Sequence, residues 1–343
     1  MQFTFKTILE FNEYFKTEKD CYLFLEEQWW SENRYCPHCG SLKKPYNVKS
    51  RGKDKTIPSY RCSESLCNLP FTIKTKSIFD GTKIELRKWL HALFEITIGK
   101  KGISSIELGN RIGISQKSSW LMLHKIRNVM NEENDEKFDG VNQLDETFVG
   151  GKNKNRHKDK KVEKSQGRSF KDKTPVLGIV NVGINEYIQR PNKVEIGKMV
   201  KQKVIIKPDK IKLFVIRDTS SQSIHHILKN NIKQGSAILT DEWMAYNNLD
   251  DYFHRFYVDH SKGQYVDGVI STNKVENFWS IFKRGLIGIY HSVKSKHLQK
   301  YCNEFQLRYN TKSDSIFDRF LNLISKTLTE RITYVCLTKL KYT

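Results

Sequence analysis

Apolar positions in the first 130 residues follow a helical period that is interrupted once by a turn-rich segment. Residues 17–30 predict a short amphipathic helix, and residues 83–130 predict a helical region broken by glycines at 99–102 and 113. Between them, residues 34–75 are punctuated by Cys, Gly and Pro, which is typical of a small compact unit. The first third of the chain is therefore predicted to be helical around one irregular module.

From residue 141 onward, β-prone apolar runs alternate with helical patterns. Strands are predicted at 142–149, 175–182, 203–207, 211–217, 236–240 and 255–259, and helices at 220–231, 242–248, 273–285 and 295–310. This order predicts an α/β domain with a mixed sheet flanked by helices.

Two polar segments divide the chain. Residues 131–137 form a polar hinge, and residues 151–173 hold ten Lys or Arg against three acids, which is typical of a flexible basic arm. The expected organisation is an N-terminal helical segment (1–33), a cysteine-containing module (34–80), a helical domain (81–132), an α/β domain (141–312) with the basic insertion (151–173), and a C-terminal helical tail (313–343).

The charge balance points to a nucleic acid partner. The 343 residues include 59 Lys and Arg against 38 Asp and Glu, a net charge of +21. Such an excess neutralises phosphates and gains affinity from counterion release, although a lysine-rich solvated surface is the alternative. No apolar run approaches a membrane helix, no signal peptide opens the chain, and the seven cysteines are odd in number, so a reducing cytosolic location is expected.

Four cysteines form two knuckles separated by 22 residues. Their spacing predicts one structural Zn²⁺ held by Cys36, Cys39, Cys62 and Cys67. The second knuckle has a four-residue gap, wider than the usual two. The other cysteines (Cys21, Cys302 and Cys336) are expected to be ordinary buried residues.

Residues 103–120 fit two helices joined by a tight turn. Ser104 and Ser115 can cap the two helices, and Gly113 can supply the turn. The side chains expected to pack inward are Ile106, Leu108, Trp120, Leu121, Leu123 and Ile126. The N-terminus of the second helix, the end that usually meets DNA, presents Gln116, Lys117 and Ser118. A generic helical hairpin shares this pattern, and the basic context favours DNA binding.

Three acids lie where predicted elements meet: Asp145 and Asp241 near strand ends, and Glu276 in an amphipathic helix. Acids that converge from distant positions can hold hard divalent cations, which prefer oxygen ligands. Each Asp is followed by a Glu, and the pattern alone does not choose between the neighbours. A solvent-exposed acid at a strand end is the alternative for each.

The helix predicted at 273–285 buries one stripe and exposes another. Its apolar stripe consists of Val275, Phe278, Trp279 and Phe282. Glu276 and Lys283 lie on an adjacent polar stripe, where the Glu can hold metal and the Lys can contact phosphate. A solvated charged helix face is the alternative.

Several motifs, in order, match one family. They are Leu144-Asp-Glu-Thr-Phe-Val-Gly-Gly-Lys152, Leu239-Thr-Asp-Glu-Trp243, Thr272-Asn-Lys-Val-Glu-Asn-Phe-Trp-Ser-Ile-Phe-Lys-Arg-Gly285, Ile289-Tyr-His291 and His297-Leu-Gln-Lys-Tyr301. With the cysteine segment and residues 101–127, the chain resembles bacterial insertion-sequence transposases of the DDE type that carry an N-terminal zinc ribbon and are related to Merlin transposons. The resemblance covers roughly residues 17–310.

The resemblance implies an RNase H-like catalytic fold, preceded by the zinc ribbon and the helix-turn-helix. It assigns Asp145, Asp241 and Glu276 as ligands of two Mg²⁺ or Mn²⁺ ions, supports Lys283 as the family's lysine after the third acid, and matches His260 to a family histidine. The basic arm, with Lys152, Lys154 and Arg156, would grip the DNA backbone.

The expected function is a transposase that cuts and rejoins double-stranded DNA at the terminal inverted repeats of its own element and transfers the ends to target DNA. Joining two ends implies a homodimer or larger assembly on DNA, near the nucleoid of a bacterial host and away from membranes. One alternative is a catalytically silent DNA-binding regulator derived from a transposase. Another is an RNase H-like structure-selective nuclease, which would show no strand transfer.

Overall fold

The chain forms two compact units. The computed structural model describes residues 4–31, 33–50, 52, 54–131, 136–151, 157–162, 173–191, 199–258, 272–329 and 331–339. One unit comprises residues 1–131 together with 314–343, and the other comprises residues 132–313. The last thirty residues thus belong to the same unit as the N-terminus.

The described helices are α1 (Ile8–Tyr14), α2 (Glu18–Trp30), α3 (Leu86–Ile98), α4 (Ser105–Ile112), α5 (Gln116–Val129), α6 (Ser221–Asn231), α7 (Asn273–Gly285), α8 (Ser295–Asn310), α9 (Ile316–Ser325) and α10 (Tyr334–Lys339). The described strands are β1 (Tyr46–Asn47), β2 (Tyr60–Arg61), β3 (Pro70–Phe71), β4 (Val141–Val149), β5 (Thr174–Asn181), β6 (Ile184–Pro191), β7 (Met199–Lys207), β8 (Lys210–Val215), β9 (Ala237–Asp241) and β10 (His254–Val258). None of these helices combines the length and apolarity that crossing a membrane requires.

Aromatic side chains build the core of the first unit, and the C-terminal segment completes it. The Phe11 ring stacks on Phe94 of α3 at 5.0 Å between centroids. Phe320 of α9 lies edge-on to Phe5 at 5.3 Å, and both side chains are fully buried. The Trp29 indole N–H donates to the Ile324 carbonyl. Helix α9 therefore covers apolar surface that α1 to α3 would otherwise expose to water.

Helices α4 and α5 begin and end as the sequence predicts. Ser104 and Ser115 cap them, each side chain accepting a backbone N–H three residues on, and Gly113 has a φ of 64° after α4. A Cβ at Gly109 would lie 2.8 Å from the Ile114 carbonyl oxygen and 2.9 Å from Ser119 Oγ. The missing side chain lets α4 approach the start of α5 closely.

The inward stripe predicted for this helix pair is partly wrong. Ile106 is 63% exposed, whereas Leu108 and Ile112 are buried. Ile106 and Leu108 lie two positions apart and so on opposite sides of a helix, which cannot both face one partner. On α5, Leu123 and Ile126 are buried as predicted, but Trp120 and Leu121 are only half-buried. Cys336 also departs from expectation because it is exposed, while Cys21 and Cys302 are buried.

A five-stranded mixed sheet organises the second unit, in the order β10-β9-β4-β5-β8. β4, β5 and β8 pair antiparallel in turn, and β4, β9 and β10 pair parallel. Helices cover both faces, so each face has its own apolar core. One core contains Val275 and Phe282 of α7, and the other contains Leu144 of β4 with Ile224 of α6. The α/β prediction is confirmed at this level.

Side-chain amides of α8 cover the free edge of the sheet at β8. Gln299, Gln306 and Asn310 accept the backbone N–H groups of Val215, Leu213 and Ile211, at 2.8, 2.9 and 2.7 Å respectively. These bonds replace the ladder that a further strand would supply. An edge satisfied in this way cannot template pairing with another chain.

Two regions of the second unit differ from the sequence prediction. The strand predicted at 203–207 falls within β7, which pairs with the unpredicted β6 in a two-stranded sheet outside the mixed sheet. The helix predicted at 242–248 is only a single 3₁₀ turn, Met244–Tyr246. The other predicted strands and helices of this unit occur, with ends shifted by up to two residues.

Candidate acidic site and zinc centre

Three neighbouring elements carry the predicted acids. Asp145 lies on β4, and Asp241 is the last residue of the adjacent parallel strand β9. Glu276 lies in the first turn of α7, which packs on the same sheet face as Val149 of β4. Alternation along β4 places Asp145 on that face too. The fold therefore directs Asp145 toward the helix that carries Glu276.

A buried glutamine fixes the start of α7 against β4. Gln143, two residues before Asp145 and on the same face, accepts backbone N–H groups from Lys274 at 2.9 Å and Val275 at 3.3 Å. These are donors of the first helical turn, which have no partner within the helix. Thr272 Oγ1 donates to Glu276 Oε1 at 2.6 Å and orients that carboxylate. Sequence reasoning did not single out Gln143, although strand alternation gave its face.

The Asp145 carboxyl carries the electrostatic signature of clustered negative charge. Its burial raises its pKa from the ordinary value to about 6, and the charges of Asp241 and Glu276 act in the same direction. The Glu146 backbone N–H, which donates to Asp145 Oδ1 at 2.8 Å, and the Trp279 indole oppose this rise. The negative charges of Asp241 and Glu276 therefore act on the Asp145 carboxyl, although the three residues lie on elements far apart in sequence.

The acids next to the two aspartates have different surroundings. Glu146 lies on the opposite face of β4, where it accepts a hydrogen bond from the Tyr246 hydroxyl. Tyr246 is fully buried, and burial together with Glu146 raises its pKa well above the usual value. Glu242 is exposed beyond the end of β9, whereas Asp241 is half-buried. The tertiary structure thus separates neighbours that the sequence left equivalent.

A glycine on β5 makes room beside Asp145 for an aromatic ring. Gly178 is the cross-strand partner of Asp145, and a Cβ there would lie 2.7 Å from Trp279 Cζ2. Because Gly178 has no side chain, the indole packs directly on the sheet next to the carboxyl. Gly178 was not identified from the sequence, since only the packed structure shows which ring approaches it.

Gly178→Ala is expected to push Trp279 and α7 away from the sheet. The overlap predicts a loss of about 1–3 kcal/mol in the free energy of unfolding, typical of overpacking. Chemical denaturation followed by tryptophan fluorescence measures this effect. Gly288→Ala is the control, because no atom lies within 4 Å of a Cβ at that position. Equal stability of the two variants would contradict the packing role of Gly178.

The remaining predicted residues are distributed as follows. Lys283 is exposed on α7, two turns after Glu276. Gln116 and Lys117 are exposed at the start of α5, and Ser118 is half-buried and donates its backbone N–H to Ser115 Oγ. The other predicted residues, which lie outside the described residues, are His260, Lys152, Lys154 and Arg156.

The four predicted zinc ligands converge at one point. Their sulfur atoms all lie within 4.8 Å of one another, with Cys36 Sγ 3.9 Å from Cys67 Sγ and Cys39 Sγ 3.6 Å from Cys62 Sγ. A tetrahedral ion with Zn–S bonds of about 2.3 Å requires sulfurs about 3.8 Å apart. These distances are much longer than a disulfide bond and fit four thiolates around one structural Zn²⁺. The wider second knuckle does not prevent convergence.

Two family models match the regions of the chain that contain these residues. Residues 137–310 match the family model of the ISXO2-like transposase domain, and residues 16–69 match that of the transposase zinc-ribbon domain. An uncharacterised protein in the transposable element ISH50 of Halobacterium salinarum is 24% identical over 302 residues, covering 86% of this chain and 91% of that protein. An uncharacterised transposase-like protein of Haemophilus influenzae is 26% identical over 102 residues, covering 29% of this chain and 81% of that protein.

The match to the transposase domain spans half of the chain and contains every element that positions the three acids. The zinc-ribbon match contains all four converging cysteines. The chain therefore belongs to the ISXO2-like transposase family and carries the transposase zinc ribbon in front of that domain.

Proposed function

We propose that this protein is an active transposase that binds the terminal inverted repeats of its insertion sequence and catalyses Mg²⁺-dependent strand cleavage and strand transfer. The observation that carries the proposal is the placement of Asp145, Asp241 and Glu276 on β4, β9 and α7, close enough that the charges of the half-buried Asp241 and the exposed Glu276 act on the half-buried Asp145. Carboxylates whose charges repel one another cost stability, and proteins retain such costs at functional sites.

The donor set of this site fits hard divalent cations. All three residues supply carboxylate oxygens, the ligands that Mg²⁺ and Mn²⁺ prefer. When bound, such ions supply an activated water or 3′-hydroxyl and stabilise the departing oxygen.

The protein's own residues would prepare this chemistry. Gln143 anchors the start of α7 to β4, and Thr272 orients the exposed Glu276 carboxylate, so this acid would be positioned before DNA binds. The Trp279 indole covers one side of Asp145 and excludes water there. Lys283, exposed two turns further along α7, would contact a DNA phosphate, and His260, which matches a family histidine, is a further catalytic candidate. The antiparallel β8-β5-β4 set followed by parallel β9 and β10 supports the RNase H-like architecture.

The first unit would read the DNA. The close approach at Gly109 and the caps at Ser104 and Ser115 support a helix-turn-helix, in which α5 is the recognition helix. Gln116 and Lys117 are exposed at its N-terminus and are suited to contact base edges and phosphates. The zinc ribbon and the basic arm at 151–173 would add backbone contacts. Because two ends must be joined, the active form would be a homodimer or larger assembly in the bacterial cytoplasm.

Asp241→Asn is expected to abolish cleavage of a duplex that carries the ends of the element encoding this protein. Without that carboxylate, the site loses one of its three metal ligands, so turnover should fall by a factor of at least about 10³. Strand nicking on denaturing gels, with and without Mg²⁺, measures the effect. Glu242→Gln is the matched control, since this exposed neighbour should be dispensable.

The same assay separates the alternatives. Cleavage retained by Asp241→Asn would refute the metal assignment. Tight binding of element ends by the wild type without any Mg²⁺-dependent nicking would favour a regulator derived from a transposase. Cleavage of branched DNA with no strand transfer, and no need for element ends, would favour a structure-selective nuclease.

A further inference from the structure

Both strands of the β6–β7 hairpin are largely exposed to solvent. Its strands pair with each other and, within the described chain, with no other strand. Nearly every side chain on both strands is exposed, including Tyr187 at 67% and Ile205 at 52%. A two-stranded hairpin is marginally stable by itself in water. A partner that covers one face would therefore stabilise it.

The two faces of the hairpin differ in chemistry. Register pairs Tyr187 with Lys203 and Gln189 with Lys201, which places these four residues on one face. Among the described hairpin residues, that face carries no acid and also holds Asn185, Met199 and Ile205, whereas Glu186 lies on the other face with Arg190 and Val204. We define Tyr187, Gln189, Lys201 and Lys203 as the basic ribbon face.

We propose that the basic ribbon face binds duplex DNA, an inference that rests on the proposed transposase function. Two cations, an amide and a phenol are the donors that contact phosphates and base edges. A two-stranded ribbon also has the dimensions that the major groove admits. A second copy of the chain fits this face less well, because a two-fold interface would bring Lys201 and Lys203 against their own copies.

The root of the hairpin is held firmly and lies away from the acids. The Gly183 N–H donates to Asp209 Oδ1 at 2.8 Å, and Asp209 also pairs with Lys274 Nζ at 2.5 Å. The last β5 residue before the hairpin, Asn181, lies three register positions from the row of Asp145, about 10 Å along the sheet. The ribbon therefore contacts DNA flanking the reacting phosphate, so it contributes to binding and not to the chemical step.

The test is a double substitution, Lys201→Gln with Lys203→Gln, in the full-length protein. Binding to a random-sequence duplex is measured by fluorescence anisotropy over a range of salt concentrations. Loss of two phosphate contacts should lower the slope of log K against log salt by about 1.8 and weaken low-salt binding roughly tenfold. Cleavage at saturating DNA should be unchanged. Arg190→Gln with Lys207→Gln removes the same charge from outside the basic ribbon face, because Arg190 lies on the opposite face and Lys207 lies at the root beyond the register shift, and it should leave the slope nearly unchanged.

The other outcomes overturn the proposal, except the last one given below, which overturns only the proposed transposase function. If both double variants lower the salt slope equally, the basic ribbon face contributes only general positive charge. If neither variant changes the slope, the face does not bind DNA. A change only in self-association, seen by analytical ultracentrifugation, would assign the face to a second copy. If Lys201→Gln with Lys203→Gln has the wild-type salt slope and the wild type cleaves DNA, DNA binding by the basic ribbon face is refuted and the proposed transposase function stands. If the double variant lowers the salt slope but the wild type does not cleave DNA, the proposed transposase function is refuted and DNA binding by the basic ribbon face stands.

Discussion

Asp145→Asn is expected to abolish DNA cleavage while making the metal-free protein more stable. In the wild type, burial and the charges of Asp241 and Glu276 raise the pKa of Asp145 to about 6, so its ionised form disfavours the folded state. Each pKa unit corresponds to about 1.4 kcal/mol. Neutral asparagine removes that repulsion, and we expect a gain of about 1–3 kcal/mol in the free energy of unfolding at pH 8 without Mg²⁺.

The sign of this effect depends on pH. Because the folded-state pKa of Asp145 is raised, ionisation of this carboxyl lowers the free energy of unfolding of the wild type above about pH 6. The wild type regains that free energy as the pH falls toward the unfolded-state pKa near 4. The stability advantage of Asp145→Asn should therefore shrink as the pH is lowered from 8 to 4. Urea denaturation at several pH values, combined with nicking assays, measures both effects.

Asp209→Asn is the control with the opposite sign. Asp209 accepts the Gly183 N–H and pairs with Lys274 and Lys312, so its charge stabilises the fold. Neutralising it should lower the free energy of unfolding. If Asp145→Asn destabilised the protein as Asp209→Asn does, Asp145 would be a structural carboxylate and not part of a strained metal site.

Cys39→Ser is expected to release zinc and unfold the ribbon. The three strands of this module are two residues long each, so its own core, with Tyr60 and Phe71, is small. In such units the free energy of metal binding, on the order of 10 kcal/mol, is the free energy of folding. Losing one of four ligands should therefore lower zinc content below one ion per chain and expose residues 34–75 to proteolysis.

Elemental analysis and limited proteolysis of the full-length protein measure this outcome. Cys336→Ser is the control, because Cys336 is exposed and outside the cluster. One tightly bound zinc per chain in Cys39→Ser would contradict the four-thiolate assignment. Loss of zinc in Cys336→Ser as well would point to a different ligand set.

Sequence patterns anticipated most elements because their signals are local. Each correctly predicted feature depends on residues within a few positions of one another. Examples are the caps at Ser104 and Ser115, the turn at Gly113 and the buried stripe of α7. Where the local pattern is weak, the prediction failed: β6 was not predicted, and β7 was predicted only at 203–207. These two strands expose both faces, so they lack the alternation that identifies a half-buried strand.

By itself, the sequence determined the zinc ligands, the mixed α/β pattern, and the three acids as candidates, since spacing and residue type carry that information. Only the tertiary structure decided which acid of the first Asp-Glu pair faces α7. That choice depends on Gln143 anchoring the helix to one face of β4 and Tyr246 holding Glu146 on the other. It also decided that Gly178 and Trp279 lie beside Asp145. Such contacts join residues more than 100 positions apart, for example Gln143 and Val275 at a separation of 132, and no local pattern specifies them.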